Sequence, residues 1–372
     1  MKPKTFPRPL AILIFLGVFS VFLYVANLVV YEALAVVFRI TAPRDLFLLG
    51  LGLGVLSASF IVSTVLGRYF YNFFTRAYYL VSAIWIGLFT YLFFASVVLG
   101  IVLKFPALPA VMIGEILVVI TLVLSLYGIV HARKIKIIKV EVSLPNLPPQ
   151  WKGRKALWIS DVHLGQIYGS AYAKKIVEKA NALPHDIIFI GGDLYDGTGA
   201  ADITELVAPL ARFSGKLGTY FITGNHEEIG ERDEFVSAVR SVGIRPLLDE
   251  MIEIDGLQLI GVDYRNAVNK EAFRDILERL AIRSDAPSIL LKHEPKDIDV
   301  ARDAGVSLQI SGHTHRAQMW PLGYVADLVY QGFAYGLKRS GGTQVYTSSG
   351  VGTWGPPMRV GTDCEIVHIT FE

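Results

Sequence analysis

Apolar residues follow two different patterns along this chain. Up to about residue 132 they run nearly unbroken through four segments, roughly Leu10–Tyr31, Leu46–Gly67, Tyr79–Leu103 and Ala107–His131. Each is long enough to cross a hydrocarbon core as a helix, which takes about 18 or more apolar residues. Charges collect in the short connectors: Arg39, Arg44 and Asp45, then Arg68 and Arg76, then Lys104. Beyond residue 132 the rhythm changes. KIKIIKVEV at 134–142 alternates apolar and polar positions, which suits a strand leaving a membrane, and the prolines of LPNLPPQW end it.

From residue 155 onward a short β-branched run is followed by a polar block and then a helix-like stretch, repeatedly. The pattern predicts strands at Ala156–Ser160, Asp186–Ile190, Thr219–Thr223, Leu257–Val262, Ser288–Leu291, Ser307–Ile310, Gln344–Tyr346 and Glu365–Thr370. It predicts helices at Ala171–Ala182, Asp202–Ala211, Asp233–Val242 and Lys270–Ala281. Strand–helix alternation argues for α/β layering, and the strand-rich final third argues for two sheets flanked by helices. The expected organisation is a four-span membrane domain at 1–132, a linker at 133–150 and an α/β catalytic domain at 151–372.

Lys2, Lys4 and Arg8 before the first segment resemble the start of a signal peptide, but its apolar run exceeds the ~7–15 residues of such a leader. An uncleaved helix is expected. Lys and Arg number nine on the face holding the N-terminus, the second connector and the stretch after the fourth span, against three on the other face (Arg39, Arg44, Lys104). This bias places both termini, and the catalytic domain, in the cytoplasm. The expected location is a multi-pass protein of the cell membrane. A net charge of +2 selects no partner, and a single cysteine, Cys364, excludes an intrachain disulfide. Lys and Arg are scattered and form no basic track for a nucleic-acid backbone.

The chemistry sits in five blocks: DVH at 161–163, GGDLYDG at 191–197, GNHE at 224–227, KHEP at 292–295 and GHTH at 312–315. Asp161, Asp193, Asn225, His293 and His313 each fall just after a predicted strand, and in open α/β sheets ligands collect at the carboxyl ends of strands. Two carboxylates, one amide and the imidazoles of His163, His293, His313 and His315 can hold two divalent cations, with Asp193 able to serve both. Two metals about 3.5–4 Å apart support in-line displacement at phosphorus. Mixed N and O donors fit Mn, Fe, Zn or Ni. His226 is placed to face substrate, as an acid for the leaving alkoxide or a charge for phosphoryl oxygens. Glu227 or Asp196 could orient an imidazole.

In this order, D-x-H, G-D-x-x-D-G, G-N-H-E, H and G-H-x-H resemble the calcineurin-like metallophosphoesterase superfamily, over roughly 140–372. VYTSSGVGTWGPPMRVGTDCEI at the end resembles its bacterial branch with N-terminal transmembrane helices. The resemblance implies a four-layer α/β/β/α sandwich. It implies a first metal on Asp161, His163, Asp193 and His315, a second on Asp193, Asn225, His293 and His313, and His226 as the acid or phosphate-contacting residue. Two departures stand out: Arg316 and Ala317 replace the two glycines of a GHTHGGQ block, and Glu227 stands where many relatives carry Asp.

Other features receive plainer readings. His131, His185 and His368 are structural. GLGLG at 50–54 lies inside an apolar span, where Gly50 and Gly54 serve helix packing. Asn27 and Glu115, polar residues within spans, mark no ion path. Met319–Trp320 and Tyr324–Leu337 form an aromatic-rich stretch, either core or a lip that grips an acyl chain or touches the bilayer. Gly341–Gly342 and Ser348–Trp354 are candidate cleft segments. The expected function is hydrolysis of a phosphodiester or pyrophosphate, with a lipid-linked substrate among the candidates, and with no nucleic acid and no obligate protein partner. The alternatives are a nuclease or cyclic-nucleotide phosphodiesterase, or a non-catalytic membrane sensor or scaffold retaining the metal site.

Overall fold

The computed structural model describes residues 8–197, 201–229 and 231–372. Lys2 and Lys4 lie outside the described residues. Contacts divide the chain into two compact units, Met1–Val65 with Val81–Tyr127, and Leu66–Leu80 with Gly128–Glu372.

The first unit is built on four helices, α1 (Arg8–Val37), α2 (Pro43–Tyr69), α3 (Phe73–Val102) and α4 (Ala110–His131). All four are long and apolar enough to cross a membrane. They match the four apolar segments and extend past most of their ends, because helix continues through polar flanks that hydropathy alone excludes. Ala26, Val30, Leu53, Phe89 and Leu92 join α1, α2 and α3. Ala33, Val37 and Leu99 carry the packing toward Leu117 and Val118 of α4. Asn27 is satisfied inside the bundle: its amide donates to the Leu23 carbonyl at 2.8 Å and its oxygen accepts from Ser57 Oγ at 3.1 Å. Glu115 is exposed on α4. Gly50 lies against Tyr31 (3.6 Å from a built Cβ), whereas nothing lies within 4 Å of a side chain placed on Gly54. A methyl group would fit at either position, so close helix packing requires neither glycine.

The second unit holds two six-stranded sheets. Its strands are β1 (Ile135–Val142), β2 (Lys155–Ile159), β3 (Ile187–Ile190), β4 (Thr219–Phe221), β5 (Arg245–Pro246), β6 (Glu250–Ile254), β7 (Leu257–Gly261), β8 (Ser288–Leu291), β9 (Leu308–Ser311), β10 (Gly336–Ser340), β11 (Thr343–Thr347) and β12 (Cys364–Phe371). Between them run α5 (Ser170–Asn181), α6 (Ile203–Val207), α7 (Arg232–Ser241), α8 (Tyr264–Ala267), α9 (Lys270–Leu280), α10 (Ile298–Asp303) and α11 (Gly323–Val329). One sheet is ordered β1-β12-β2-β3-β4-β5 and the other β10-β11-β9-β8-β7-β6. The segment read as a linker contributes the edge strand β1, paired in parallel with β12 from Ile135↔Cys364 to Val142↔Phe371.

Period-2 alternation sorts the strand residues into layers. Ala156, Trp158, Ile187 and Phe189 point from the first sheet onto Leu257, Leu259, Ile289, Leu291, Leu308 and Ile310 of the second. Their neighbours Leu157, Ile159, Ile188 and Ile190 face outward onto Ile176 and Val177 of α5, Leu206 and Val207 of α6, and Phe235, Val236 and Val239 of α7. Leu290 and Ile260 face Phe273, Ile276 and Leu277 of α9 and Val300 of α10. The result is the expected α/β/β/α sandwich. Within it β2, β3 and β4 run parallel, as do β7, β8 and β9, so each sheet offers a row of carboxyl ends.

Candidate metal centre

Those carboxyl ends deliver the five blocks. Asp161 follows β2, Asp193 follows β3, Asn225 follows β4, His293 follows β8, and His313 and His315 follow β9. Among the described residues the donor atoms form three groups; one joins His163 to Asp196 and His226, and the other two hold the expected ligands. In one, Nε2 of His163 lies 3.0 Å from Nε2 of His315, which is 3.6 Å from Oδ1 of Asp161. In the other, Nε2 of His293 lies 3.2 Å from Oδ1 of Asn225 and 3.2 Å from Nδ1 of His313. Oδ2 of Asp193 joins them: it is 3.9 Å from His163 Nε2 and 3.2 Å from His293 Nε2. All seven side chains singled out as metal donors thus converge about one carboxylate.

Three of the donors are aimed by backbone hydrogen bonds. Nδ1 of His293 donates to the Gly191 carbonyl at 2.7 Å, which leaves Nε2 with its lone pair. The backbone N–H of His226 donates to Oδ1 of Asp193 at 2.9 Å, leaving Oδ2 turned to the histidines. The N–H of His313 donates to Oδ1 of Asp161 at 2.8 Å. Gly224 and Gly312 make these approaches feasible, since a Cβ on either would overlap a carboxylate oxygen of Asp193 or Asp161. Five of the seven donor residues hold left-handed backbone: Asp161 (φ 55), His163 (53), Asp193 (50), His313 (69) and His315 (48). Such strain clusters at functional sites.

The site's electrostatics fit a divalent cation. Burial, then the charge of His226, holds His163 well below the usual imidazole range, and burial with His163 does the same for His315. Burial, then His293, brings His313 down to about 4. These three imidazoles are neutral, the state a ligand needs. Burial opposes ionisation of Asp193, but His293 and His226 outweigh it and hold the carboxylate well below its ordinary value. Burial likewise opposes charge on His293, but Asp193 pushes it up to about 10. An anionic Asp193 thus demands a positive neighbour, which a proton or a metal ion can be. Oδ2 of Asp161 is buried without a hydrogen-bond partner, an orphan a cation would satisfy.

A cavity of about 450 Å³ opens over the donors, lined also by His226, Ile229, Thr314, Gln318 and Trp354. Nδ1 of His226 donates to the Asp196 carbonyl at 2.7 Å, and its ring stands edge-on to Trp354 at 5.5 Å.

The sequence model for the calcineurin-like phosphoesterase family matches residues 154–317. An uncharacterized metallophosphoesterase of Aquifex aeolicus is 30% identical over 263 residues, covering 68% of this chain and 98% of that protein. One from Campylobacter jejuni is 30% identical over 261 residues, 69% of this chain and 68% of the relative. This chain belongs to the calcineurin-like metallophosphoesterase family. A "Transmembrane protein with metallophosphoesterase domain" from Bos taurus is 33% identical over 273 residues, 68% of this chain, and the match spans 61% of that relative's length. The four helices of this metallophosphoesterase, each long and apolar enough to cross a membrane, point to a membrane protein.

Family membership sharpens the departures. Arg316 and Ala317 have φ 49 and 55, backbone that glycine adopts without penalty. The GG expectation is therefore a conformational one, and this chain keeps the conformation while adding side chains; the Arg316 guanidinium lies over the Tyr335 ring at 4.6 Å. The sequence reading has Glu227 as an acid that could orient an imidazole. Its carboxylate instead accepts the backbone N–H groups of Asp193 (3.0 Å), Leu194 (2.9 Å), Tyr195 (3.2 Å) and Gly224 (2.6 Å). Burial, then Asp193, pushes its carboxyl up to about 7. The contact of Asp196 with an imidazole runs through its backbone carbonyl, which accepts from His226 Nδ1.

One neighbour of the site escaped the sequence reading. Arg359 is fully buried; Nη1 donates to the His315 carbonyl at 2.8 Å, and Nη2 to those of Ser349 (2.7 Å) and Gly352 (2.5 Å). A cation inside the Gly/Pro-rich GTWGPPMRVG was the available signal for it. Trp354, at the end of the candidate cleft segment Ser348–Trp354, walls the cavity. His131, His185 and His368 lie elsewhere, on Asp363 Oδ1 (2.7 Å), the Leu183 carbonyl (2.8 Å) and the Pro184 carbonyl (2.8 Å).

Proposed function

We propose that the chain is a membrane-embedded hydrolase of phosphodiester or pyrophosphate bonds that uses two divalent cations. The observation supporting this most strongly is the single oxygen, Asp193 Oδ2, shared by two donor groups. Asp161, His163 and His315 would hold one cation with Asp193; Asn225, His293 and His313 would hold the other. Bound there, the cations would offset phosphoryl charge and lower the pKa of an attacking water.

The chain's own residues do the rest. With Nδ1 anchored on the Asp196 carbonyl, His226 keeps Nε2 for substrate. Burial opposes its charge, but Asp193 and Asp196 raise its pKa above the usual value, so it can donate a proton to the leaving alkoxide or a hydrogen bond to a phosphoryl oxygen. Glu227 fixes the loop that carries Asp193. Donors of mixed N and O type fit Mn, Fe or Zn. We take 1–132 as the membrane domain and 151–372 as the catalytic domain, with 133–150 leading into it. The excess of Lys and Arg on one side of the spans supports a cytoplasmic catalytic domain of a multi-pass cell-membrane protein.

A lipid-linked substrate draws support from α11. Trp320, Tyr324, Val325 and Leu328 are exposed on and just before it, next to the Ala317 and Gln318 that line the cavity. Turnover by the purified full chain tests both parts. A lipid-linked pyrophosphate in mixed micelles should be cleaved faster than bis-p-nitrophenyl phosphate or a cyclic nucleotide. Equal rates would remove the lipid preference, and no turnover with any divalent metal would remove the hydrolase reading.

A further inference from the structure

A second cavity of about 490 Å³ lies away from the metal centre, lined by Tyr71, Arg76, Tyr168, Tyr172, Lys175 and Glu205 among others. Its wall is the α2–α3 connector, which clusters with the α/β unit. Three bonds tie that connector to the loop after His163. Gln166 Nε2 donates to the Gly67 carbonyl at 2.8 Å, Arg76 Nε donates to the Gln166 carbonyl at 3.0 Å, and the Tyr71 hydroxyl donates to the Gly165 carbonyl at 3.4 Å. On the opposite side Lys175 Nζ donates to the carbonyl of Arg133 at 2.8 Å, two residues beyond the end of α4. The cavity is therefore framed by the ends of three apolar helices.

The connector also carries its own depth marker. Tyr69, Phe70, Phe73 and Phe74 are 68, 53, 78 and 80% exposed. Aromatic residues at the ends of membrane helices settle at headgroup level, and these four flank Tyr71 and lead into Arg76. Among the described residues neither Arg76 nor Lys175 forms an ion pair. Arg76 spends Nε on a carbonyl and keeps its Nη groups, while the Tyr168 hydroxyl is 2.8 Å from Thr353 Oγ1. One acid, Glu205, sits at this site, with the Ser170 hydroxyl 3.5 Å from its Oε1.

We propose that this cavity binds the phosphate of an anionic phospholipid headgroup, held between Arg76 and Lys175 at the membrane surface. Basic residues just beyond membrane helices recognise such lipids, and Arg pairs with phosphate through its planar fork. A free phosphate offers the same chemistry, but the aromatic residues around the connector favour the lipid. The site stands whether or not the metal centre hydrolyses phosphoesters.

Native mass spectrometry of the detergent-solubilised full chain, titrated with phosphatidylglycerol, phosphatidylcholine or inorganic phosphate, tests this. The wild type should retain one phosphatidylglycerol in preference to phosphatidylcholine. Arg76→Gln with Lys175→Gln should weaken retention at least tenfold, Arg76→Lys should largely keep it, and Glu205→Gln should tighten it. Lys175→Gln alone, on an exposed residue, should cost at least threefold and keeps the test readable if the double variant misfolds. Equal retention by wild type and the Lys175→Gln variant would overturn the proposal. So would inorganic phosphate binding as tightly as phosphatidylglycerol.

Discussion

The carboxylate of Glu227 accepts the backbone N–H of Asp193 at 3.0 Å, so one acid positions the backbone of another. Three more N–H groups, of Leu194, Tyr195 and Gly224, converge on the same carboxylate. Glu227→Gln replaces one acceptor oxygen with an amide nitrogen, which orphans two of the four. At about 1–3 kcal/mol for each buried N–H, the variant should lose roughly 2–6 kcal/mol. Thermal melting should show the loss, and metal content should fall with it. A variant that melts and loads like wild type would refute the positioning role.

Arg359 holds the His315 carbonyl together with those of Ser349 and Gly352. Arg359→Lys offers a single ammonium where a planar fork spanned them. Displacing an orienting partner of a metal ligand typically costs 10–100-fold in metal affinity, and that is the expected loss, read by competition with a chromogenic chelator. Unchanged affinity would mean that Arg359 only packs.

His226 holds none of the shared donor positions. His226→Ala should therefore keep its metal content by elemental analysis while turnover falls about 10²–10⁴-fold, the usual contribution of a positioned proton donor. A loss of metal in parallel with activity would make His226 a ligand instead.

Ala317, with φ 55, bears a Cβ in a conformation that costs an L-residue about 1–2 kcal/mol. Glycine removes that cost but adds flexibility worth roughly 0.5–1 kcal/mol to the unfolded chain. Ala317→Gly should be neutral to about 1 kcal/mol stabilising, as a small rise in melting temperature. A clear fall would show that the methyl group's contacts matter more than its backbone.

Much of this was legible in sequence because the donors sit at strand ends, and strands such as Ser288–Leu291 announce themselves by β-branched and apolar runs. The same logic predicted two sheets flanked by helices. What stayed hidden depends on partners far away in sequence or on backbone atoms. Glu227 reads as an acid that orients an imidazole, yet its carboxylate serves backbone N–H groups that no side-chain pattern reveals. Arg359 meets His315 across 44 residues. β10, GLKRS, carries no alternation and is largely exposed, and β5 is two residues long. α11 is a seven-residue helix without a side-chain cap or a buried face, so its apolar residues read as a loop. Gln166 gave no sign that it would reach the carbonyl of Gly67.

An anomalous-scattering map of the metal-loaded protein tests the shared-carboxylate account most directly. It should show two peaks bracketing Oδ2 of Asp193, about 3.5–4 Å apart as in other two-metal centres, and Asp193→Ala should abolish the pair. A single peak held by one donor group alone, or two peaks that survive the loss of Asp193, would contradict it.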